Sequence, residues 1–221
     1  MNSGTKTSRP RIYVFGASGH GKVVAEAAVR SGLFDVAGFL DDDSAKWGGR
    51  LSGLPVTGGL EALAPGAVVA LGVGSNEARL ALLRRLDSLG IPVATILHPT
   101  AVVSSGVELG AGTYVGPGAV VHVDARVGRG CILNSRSVVE HDNVLADGVH
   151  VSPNATLGGN VKIGEGSHIG LGASVLPGVT IGAWTVVGAG AVVTKPLPNG
   201  VSAAGVPARI LPARTPSSAR A

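Results

Sequence analysis

Residues 151–193 read VSPNATLGGNVKIGEGSHIGLGASVLPGVTIGAWTVVGAGAVV, and every sixth of them is aliphatic: Val151, Leu157, Ile163, Ile169, Val175, Ile181, Val187 and Val193. The series runs back without a break through Leu145, Val139, Leu133, Val127, Val121, Val115, Leu109 and Val103 to Leu97, seventeen positions in all. Four residues after most of these stands something small or β-branched, as at Thr113, Ala119, Ala125, Cys131, Ser137, Val149, Ala155, Val161, Ser167, Ala173, Val179, Thr185 and Ala191. Glycine often follows the aliphatic residue directly, as at Gly110, Gly116, Gly128, Gly158, Gly164, Gly170, Gly182 and Gly188. A period of six fits neither an amphipathic helix nor a plain strand alternation. It fits a solenoid in which each hexad supplies one short strand and one turn, three hexads closing a triangular coil. The aliphatic residue is expected to point inward, the small residue to fill the corner, and glycine to supply the positive φ of the turn.

This array occupies residues 97–211 and leaves an N-terminal unit at 11–96. Residues 1–10 and 212–221 read as a flexible arm and a flexible tail. The arm lacks the apolar core of a signal peptide, and no apolar run approaches the ~18 residues that span a bilayer. One cysteine, Cys131, excludes a disulfide framework. It stands at a small-residue position and reads as an inert wall residue. These features predict a cytoplasmic protein with no membrane insertion. The net charge of +4 comes from scattered cations, several of them in the two ends, and only seven aromatic residues exist to stack on bases, so nucleic acid is not the expected partner. The same balance suits phosphorylated small molecules.

In the N-terminal unit, RIYVF (11–15) reads as a strand that runs into Gly16-Ala-Ser-Gly19-His-Gly21. KVVAEAAVRSG has helical spacing, and DVAGFL is a second strand that ends in Asp41-Asp42-Asp43. Strand, glycine loop, helix and acid-tipped strand make one βαβ unit. Its loop lets backbone N–H groups and a helix N-terminus meet a phosphate. The acids could accept from hydroxyls or base edges. The spacing is G-x-x-G-x-G, not the dinucleotide G-x-G-x-x-G. A third strand in AVVALGVGSN and a helix in EARLALLRRLDSLG complete a small Rossmann-like parallel sheet flanked by helices.

The hexads resemble the left-handed parallel β-helix of the hexapeptide acyltransferases. Gly16-Ala-Ser-Gly-His-Gly, the Asp41-Asp42 pair, Gly74-Ser-Asn-Glu-Ala-Arg79 and His98-Pro99 ahead of the hexads together resemble the nucleotide-sugar acetyltransferases. Those include bacillosamine and perosamine N-acetyltransferases and sialic acid O-acetyltransferase relatives. The resemblance implies that the N-terminal unit holds a nucleotide sugar through Ser18, Gly19, His20, Asp41, Asp42 and Gly74. The chain carries one extra residue around Leu71–Gly74 relative to the family pattern. The solenoid is implied to hold acetyl-CoA through His150, Gly159, Leu171 and Ala189, with no metal. The family's trimers, with active sites between subunits, imply a homotrimer here.

Acyl transfer to an amine needs a base, and imidazole suits that role near neutral pH. His141 lies in Val139-Glu-His-Asp-Asn143, at a solvent-facing position of its hexad between two carboxylates, which raise imidazole basicity. The family's catalytic base falls on His141, and its basicity-raising acid on Asp142. His150 and His168 are one coil apart and should stack. His168 and His122 read as surface or interface, and His98 as structural. Gly159 matches the family glycine whose N–H polarises the thioester carbonyl. Arg209, in Ala204-Gly-Val-Pro-Ala-Arg209, could meet a coenzyme A phosphate or cap the last coil.

The expected reaction is direct acetylation of the 4-amino group of a nucleotide-linked 4-amino-4,6-dideoxy sugar for surface glycans, with GDP-perosamine ahead of a UDP-linked sugar. A sialic acid-type O-acetyltransferase is the alternative. A γ-type carbonic anhydrase is more remote, because its His-x-x-x-x-His zinc spacing is absent.

Overall fold

The structure, a computed structural model, describes residues 9–212, so the expected arm and tail lie outside it apart from Arg9, Pro10 and Pro212. The N-terminal unit contains β1 (Arg11–Phe15), α1 (Gly19–Ser31), β2 (Asp35–Leu40), β3 (Arg50–Leu51), β4 (Leu54–Gly58), β5 (Val68–Leu71) and α2 (Asn76–Ser88). Its sheet runs β3-β4-β2-β1-β5, parallel except for the β3–β4 hairpin. That hairpin turns on Ser52 and Gly53, both at positive φ (48° and 79°), the signature of a two-residue turn matched to strand twist. Alternation along β1 splits the core: Ile12 and Val14 face α1, whereas Tyr13 and Phe15 face α2.

From residue 96 onward the chain is a left-handed parallel β-helix of two-residue strands. Each pairs in parallel with the strand eighteen residues on, as in Val121↔Val139 and Leu157↔Val175. Three faces result. The first carries Val115, Leu133, Val151, Ile169 and Val187, the second Val121, Val139, Leu157 and Val175, and the third Val127, Leu145, Ile163 and Ile181. All of these are buried in one continuous core.

Two expectations need correction. Leu97, the first of the seventeen, is 37% exposed, because no coil lies below it, and its neighbour Ile96 is buried against the N-terminal unit instead. The glycines that follow the aliphatic residues do not supply the turn's positive φ. That falls two residues later, at Gly112, Gly118, Gly130, Gly148, Gly166, Gly172, Gly178 and Gly190, or at Asp124, Arg136, Asp142, Asn154, Asn160 and Trp184. The glycines directly after the aliphatic residues serve close stacking. A Cβ on Gly164 would come within 2.4 Å of the Ala183 nitrogen in the next coil, and one on Gly158 within 2.8 Å of the Pro177 ring.

The outward positions explain how the parts sit. On the first face, one residue before each inward aliphatic, the chain places Ile96, Tyr114, Ile132, His150, His168 and Val186 in register. Ile96, Tyr114 and Ile132 are buried beside Val24, Ala25, Ala27 and Ala28 of α1. The equivalent row on the third face is Glu108, Arg126, Val144, Lys162 and Thr180, and on the second face Val102, Val120, Val138, Thr156, Ser174 and Val192. Arg79 of α2 locks the two units. Only 1% exposed, it donates to the Gly130 and Gly148 carbonyls of two successive coils and to those of Val73 and Gly74. Carbonyl dipoles, not a carboxylate, satisfy this guanidinium, and burial lowers its pKa to about 10.

Candidate active site

The chain direction across the sheet reverses between β1 and β5, the switch point at which open α/β sheets bind ligands. There the glycine loop and the Gly72–Gly74 turn meet at close range. A Cβ on Gly21 would fall 1.9 Å from the Gly16 carbonyl oxygen, so Gly21 serves packing. Gly19 has open space beside it, which leaves its backbone free for a ligand. Gly74 lies near His20, and Ser18 caps α1 without a side-chain cap bond. The His20 ring meets Tyr114 edge to face at 5.4 Å, and burial, with the Arg79 charge, lowers its pKa to about 4. Asp41 is 8% exposed and already committed. Its carboxylate accepts from the Ala17 N–H at 2.7 Å, the Asp43 N–H at 2.9 Å and Lys46 Nζ at 2.9 Å. These bonds hold it as an anion that shapes the loop. Asp42 is exposed and paired with Arg85 at 3.0 Å.

His141 occupies the corner between the second and third faces. Its Nδ1 lies 2.7 Å from Asp142 Oδ2, and Asp142 sits at φ 60°, a left-handed position that aspartate tolerates. The Asp142 hydrogen bond holds the imidazole above its ordinary pKa, and the charges of Asp142 and Glu140 add to this. With Nδ1 bound to the carboxylate, Nε2 is the nitrogen free to take a proton. His122 lies 3.8 Å from Glu140 on the adjoining edge. One coil up, Gly159 sits directly against the ring: a Cβ there would fall 2.6 Å from His141 Nε2. The positive φ of this turn is at Asn160, so Gly159 is glycine for the approach of the imidazole and not for the turn. Its N–H donates to no group among the described residues. The same turn position holds Pro99, Pro117, Pro153 and Pro177 in other coils, in keeping with an N–H that has no partner there.

His150, Leu171 and Ala189 line a second region with Pro153, His168 and Gly170, a largely apolar groove where the first face meets the corner it shares with the second. The His150 and His168 rings stack at 4.6 Å, 1° from parallel. Asn134 and Ser152, which the sequence reading passed over, complete the pair: Asn134 Nδ2 is 3.2 Å from His150 Nε2 and Ser152 Oγ 2.7 Å from His168 Nε2. The Asn134 Oδ1 accepts from the Ser135 N–H, which fixes the amide's orientation. His150 Nε2 is therefore an acceptor and Nδ1 carries the proton. Burial, then the charges of His168, Arg79 and His20, lowers the His150 pKa to about 3, so the ring is neutral at physiological pH. His98 bonds Thr100 at 2.8 Å, and Arg209 bonds the Ala208 carbonyl. Within one chain, His141 and Gly159 stand at one corner while His150, Leu171 and Ala189 stand at another.

Comparison with known proteins accords with this anatomy. The PglD N-terminal domain matches residues 11–86, and the bacterial transferase hexapeptide (six repeats) matches residues 160–195. UDP-N-acetylbacillosamine N-acetyltransferase of Bacillus subtilis (strain 168) is 42% identical over 108 residues, a match spanning 47% of this chain and about half (50%) of that relative. The H141A mutant of GDP-perosamine N-acetyltransferase from Caulobacter crescentus, solved in complex with CoA and GDP-perosamine, is 38% identical with a TM-score of 0.86. That match covers 91% of this chain and 96% of the Caulobacter chain. The acetyltransferase domain of PglB from Neisseria gonorrhoeae FA1090, solved in complex with acetyl coenzyme A, is 36% identical over 92% of this chain and 100% of that one, with a TM-score of 0.86. A relative 38% identical along 91% of this chain, with the PglD N-terminal domain ahead of the hexapeptide repeats, places this chain in the nucleotide-sugar N-acetyltransferase family of hexapeptide-repeat enzymes.

Proposed function

We propose that the protein transfers the acetyl group of acetyl-CoA to the 4-amino group of a nucleotide-linked 4-amino-4,6-dideoxy sugar, with GDP-perosamine as the favoured acceptor and a UDP-linked amino sugar next. It works as a cytoplasmic homotrimer. Acetyl-CoA lies along the groove of His150, Leu171 and Ala189, and the sugar nucleotide sits at the switch point by Ser18, Gly19, His20 and Gly74. The amine nitrogen attacks the thioester carbonyl as His141 Nε2 takes its proton. The Gly159 N–H carries the oxyanion. The C–N bond then stays, the C–S bond breaks, and the proton held by His141 passes to the leaving thiolate.

One observation carries this reading: the two half-sites lie on either side of the second face, which has an uncharged row of Val102, Val120, Val138, Thr156, Ser174 and Val192, with His122 and Glu140 along its edge. Three copies that turn this face toward a common axis set the groove corner of one beside the His141 corner of the next. A closed trimer thus assembles what a single chain keeps apart. The Caulobacter relative, crystallised with CoA and GDP-perosamine together, supports the acceptor, and two of its structures carry a substitution at a histidine.

The test is thiol release from acetyl-CoA, with GDP-perosamine and a UDP-4-amino sugar offered separately to wild type and His141→Asn. One amino sugar supports turnover, and the substitution lowers kcat by roughly 10²–10⁴-fold. No turnover with either amine overturns the N-acetylation reading and turns attention to hydroxyl acceptors. Full activity in the variant removes His141 from the mechanism.

A further inference from the structure

At the corner that carries His141, the wall positions four residues beyond the aliphatics are Val107, Ala125, Asn143, Val161, Val179 and Leu197. One coil therefore buries an amide where its neighbours bury hydrocarbon. Asn143 is 0% exposed and fully bonded. Its Nδ2 donates to the Glu140 carbonyl at 2.5 Å and the Gly158 carbonyl at 3.0 Å, and its Oδ1 accepts the Val161 N–H at 3.1 Å. In other turns of this corner the backbone closes on itself, as in Ala125 N–H to His122 O and Val179 N–H to Leu176 O, both at 3.4 Å. In the 158–161 turn the Asn143 amide is inserted between the two groups.

The consequence follows from peptide geometry. The Gly158 carbonyl and the Gly159 N–H belong to one planar trans unit and point in opposite directions. With the carbonyl tied inward to Asn143, the N–H is turned outward, at the residue over which the His141 ring lies. The carbonyl of Glu140, which precedes His141, is tied to the same amide. A hydrogen bond onto the carbonyl also polarises the peptide and strengthens its N–H as a donor. We infer that Asn143 is a positioning residue for the acyl transfer: it fixes the Gly159 N–H as a ready-made oxyanion donor and seats the backbone of His141 against it. This rests on the acetyl-transfer reading above. A donor already aimed at the developing charge needs no reorganisation as the reaction proceeds.

The fold supplies its own control. Thr113 bridges Gly128 O and the Cys131 N–H, and Ser167 bridges Gly182 O and the Thr185 N–H, at a corner remote from His141. Those hydroxyls bridge the same two backbone positions of the turn that Asn143 bridges, with no imidazole over them.

The experiment compares Asn143→Val, Asn143→Thr and Thr113→Val by steady-state kinetics, melting temperature and the amide NMR resonance of Gly159. In Asn143→Val, kcat falls roughly 10- to 100-fold, in the range of a weakened oxyanion donor, with KM for both substrates held within about threefold. The Gly159 resonance moves, and the acid limb of the pH profile stays where His141 puts it. Asn143→Thr recovers part of kcat, because a hydroxyl can bridge Gly158 O and the Val161 N–H as Thr113 does at its own corner. Thr113→Val lowers the melting temperature and leaves kcat within about twofold. Wild-type kcat with an unmoved Gly159 resonance in Asn143→Val overturns the inference, as does a kcat loss that Thr113→Val reproduces at equal loss of melting temperature. If wild type turns over no amino sugar while the Gly159 resonance still moves, the acetyl-transfer reading falls and the positioning of the peptide stands.

Discussion

His141 and His150 are nine residues apart, half a coil, and the same side chain has opposite properties at the two places. His141 is exposed, bonded to a carboxylate and raised in pKa. His150 is half-buried, bonded to an amide, stacked on a second imidazole and held neutral. The first environment favours the protonated form and so makes a base. The second forbids a charge and leaves a neutral N–H donor. Under the proposed mechanism these two environments separate acid–base chemistry at one corner from uncharged binding at the other, as a thioester donor and a sugar amine require.

The strongest way to break this comparison is to separate the two halves genetically. His141→Asn removes the proposed base, and Leu171→Arg puts a charge into the groove where Leu171 is now 58% exposed. Each variant alone is expected to lose about 10²-fold or more in turnover. If the halves of one site come from different chains, unfolding and co-refolding the two inactive proteins restores turnover, and a mixture that stays inactive places both halves in the same chain. A smaller effect sharpens the His141 side. Because its pKa is raised, activity climbs with pH through a limb above the ordinary 6.5; Asp142→Asn moves that limb down toward 6.5 and lowers the plateau by about tenfold. The smallest effect concerns the buried side. The pKa values of His20, His150 and His168 are lowered on folding, so the unfolded chain binds more protons below about 6.5, and stability falls as pH drops through that region toward 4. A melting temperature measured against pH reports this, and the His150 ring resonance stays untitrated from about pH 8 to pH 5.

The solenoid was legible because a short period leaves a mark at every coil, and His141 with Asp142 was legible because the pair is adjacent in the chain. The outward stripe of Ile96, Tyr114 and Ile132 was equally present in the sequence. Three large apolar residues at eighteen-residue spacing on an outward position mark where a second unit docks, and only attention to the inward row hid it. The role of Arg79 in joining the units could not be read, since its partners across the junction are main-chain carbonyls 51 and 69 residues away, and carbonyls have no residue identity. Asn143 was visible only as a gap in a series. The glycines directly after the aliphatic residues were misread for a similar reason: sequence shows that a glycine is present but not whether it yields space to a turn or to the next coil. Asp41 looked like an open acceptor, and its commitment to Ala17, Asp43 and Lys46 emerges only when the loop closes around it.

Register across three faces also limits how such a chain can change length. Removing one hexad between Gly159 and Leu171 would keep every aliphatic residue inward and leave the core intact. All that follows would nevertheless rotate by one face, carrying Leu171 and Ala189 off the corner they share with Pro153. The protein would still fold as a prism and would have lost the groove that those residues share. Chains of this architecture can therefore lengthen or shorten without penalty to chemistry only in whole coils, so the loss or gain of eighteen residues is a milder event than the loss or gain of six.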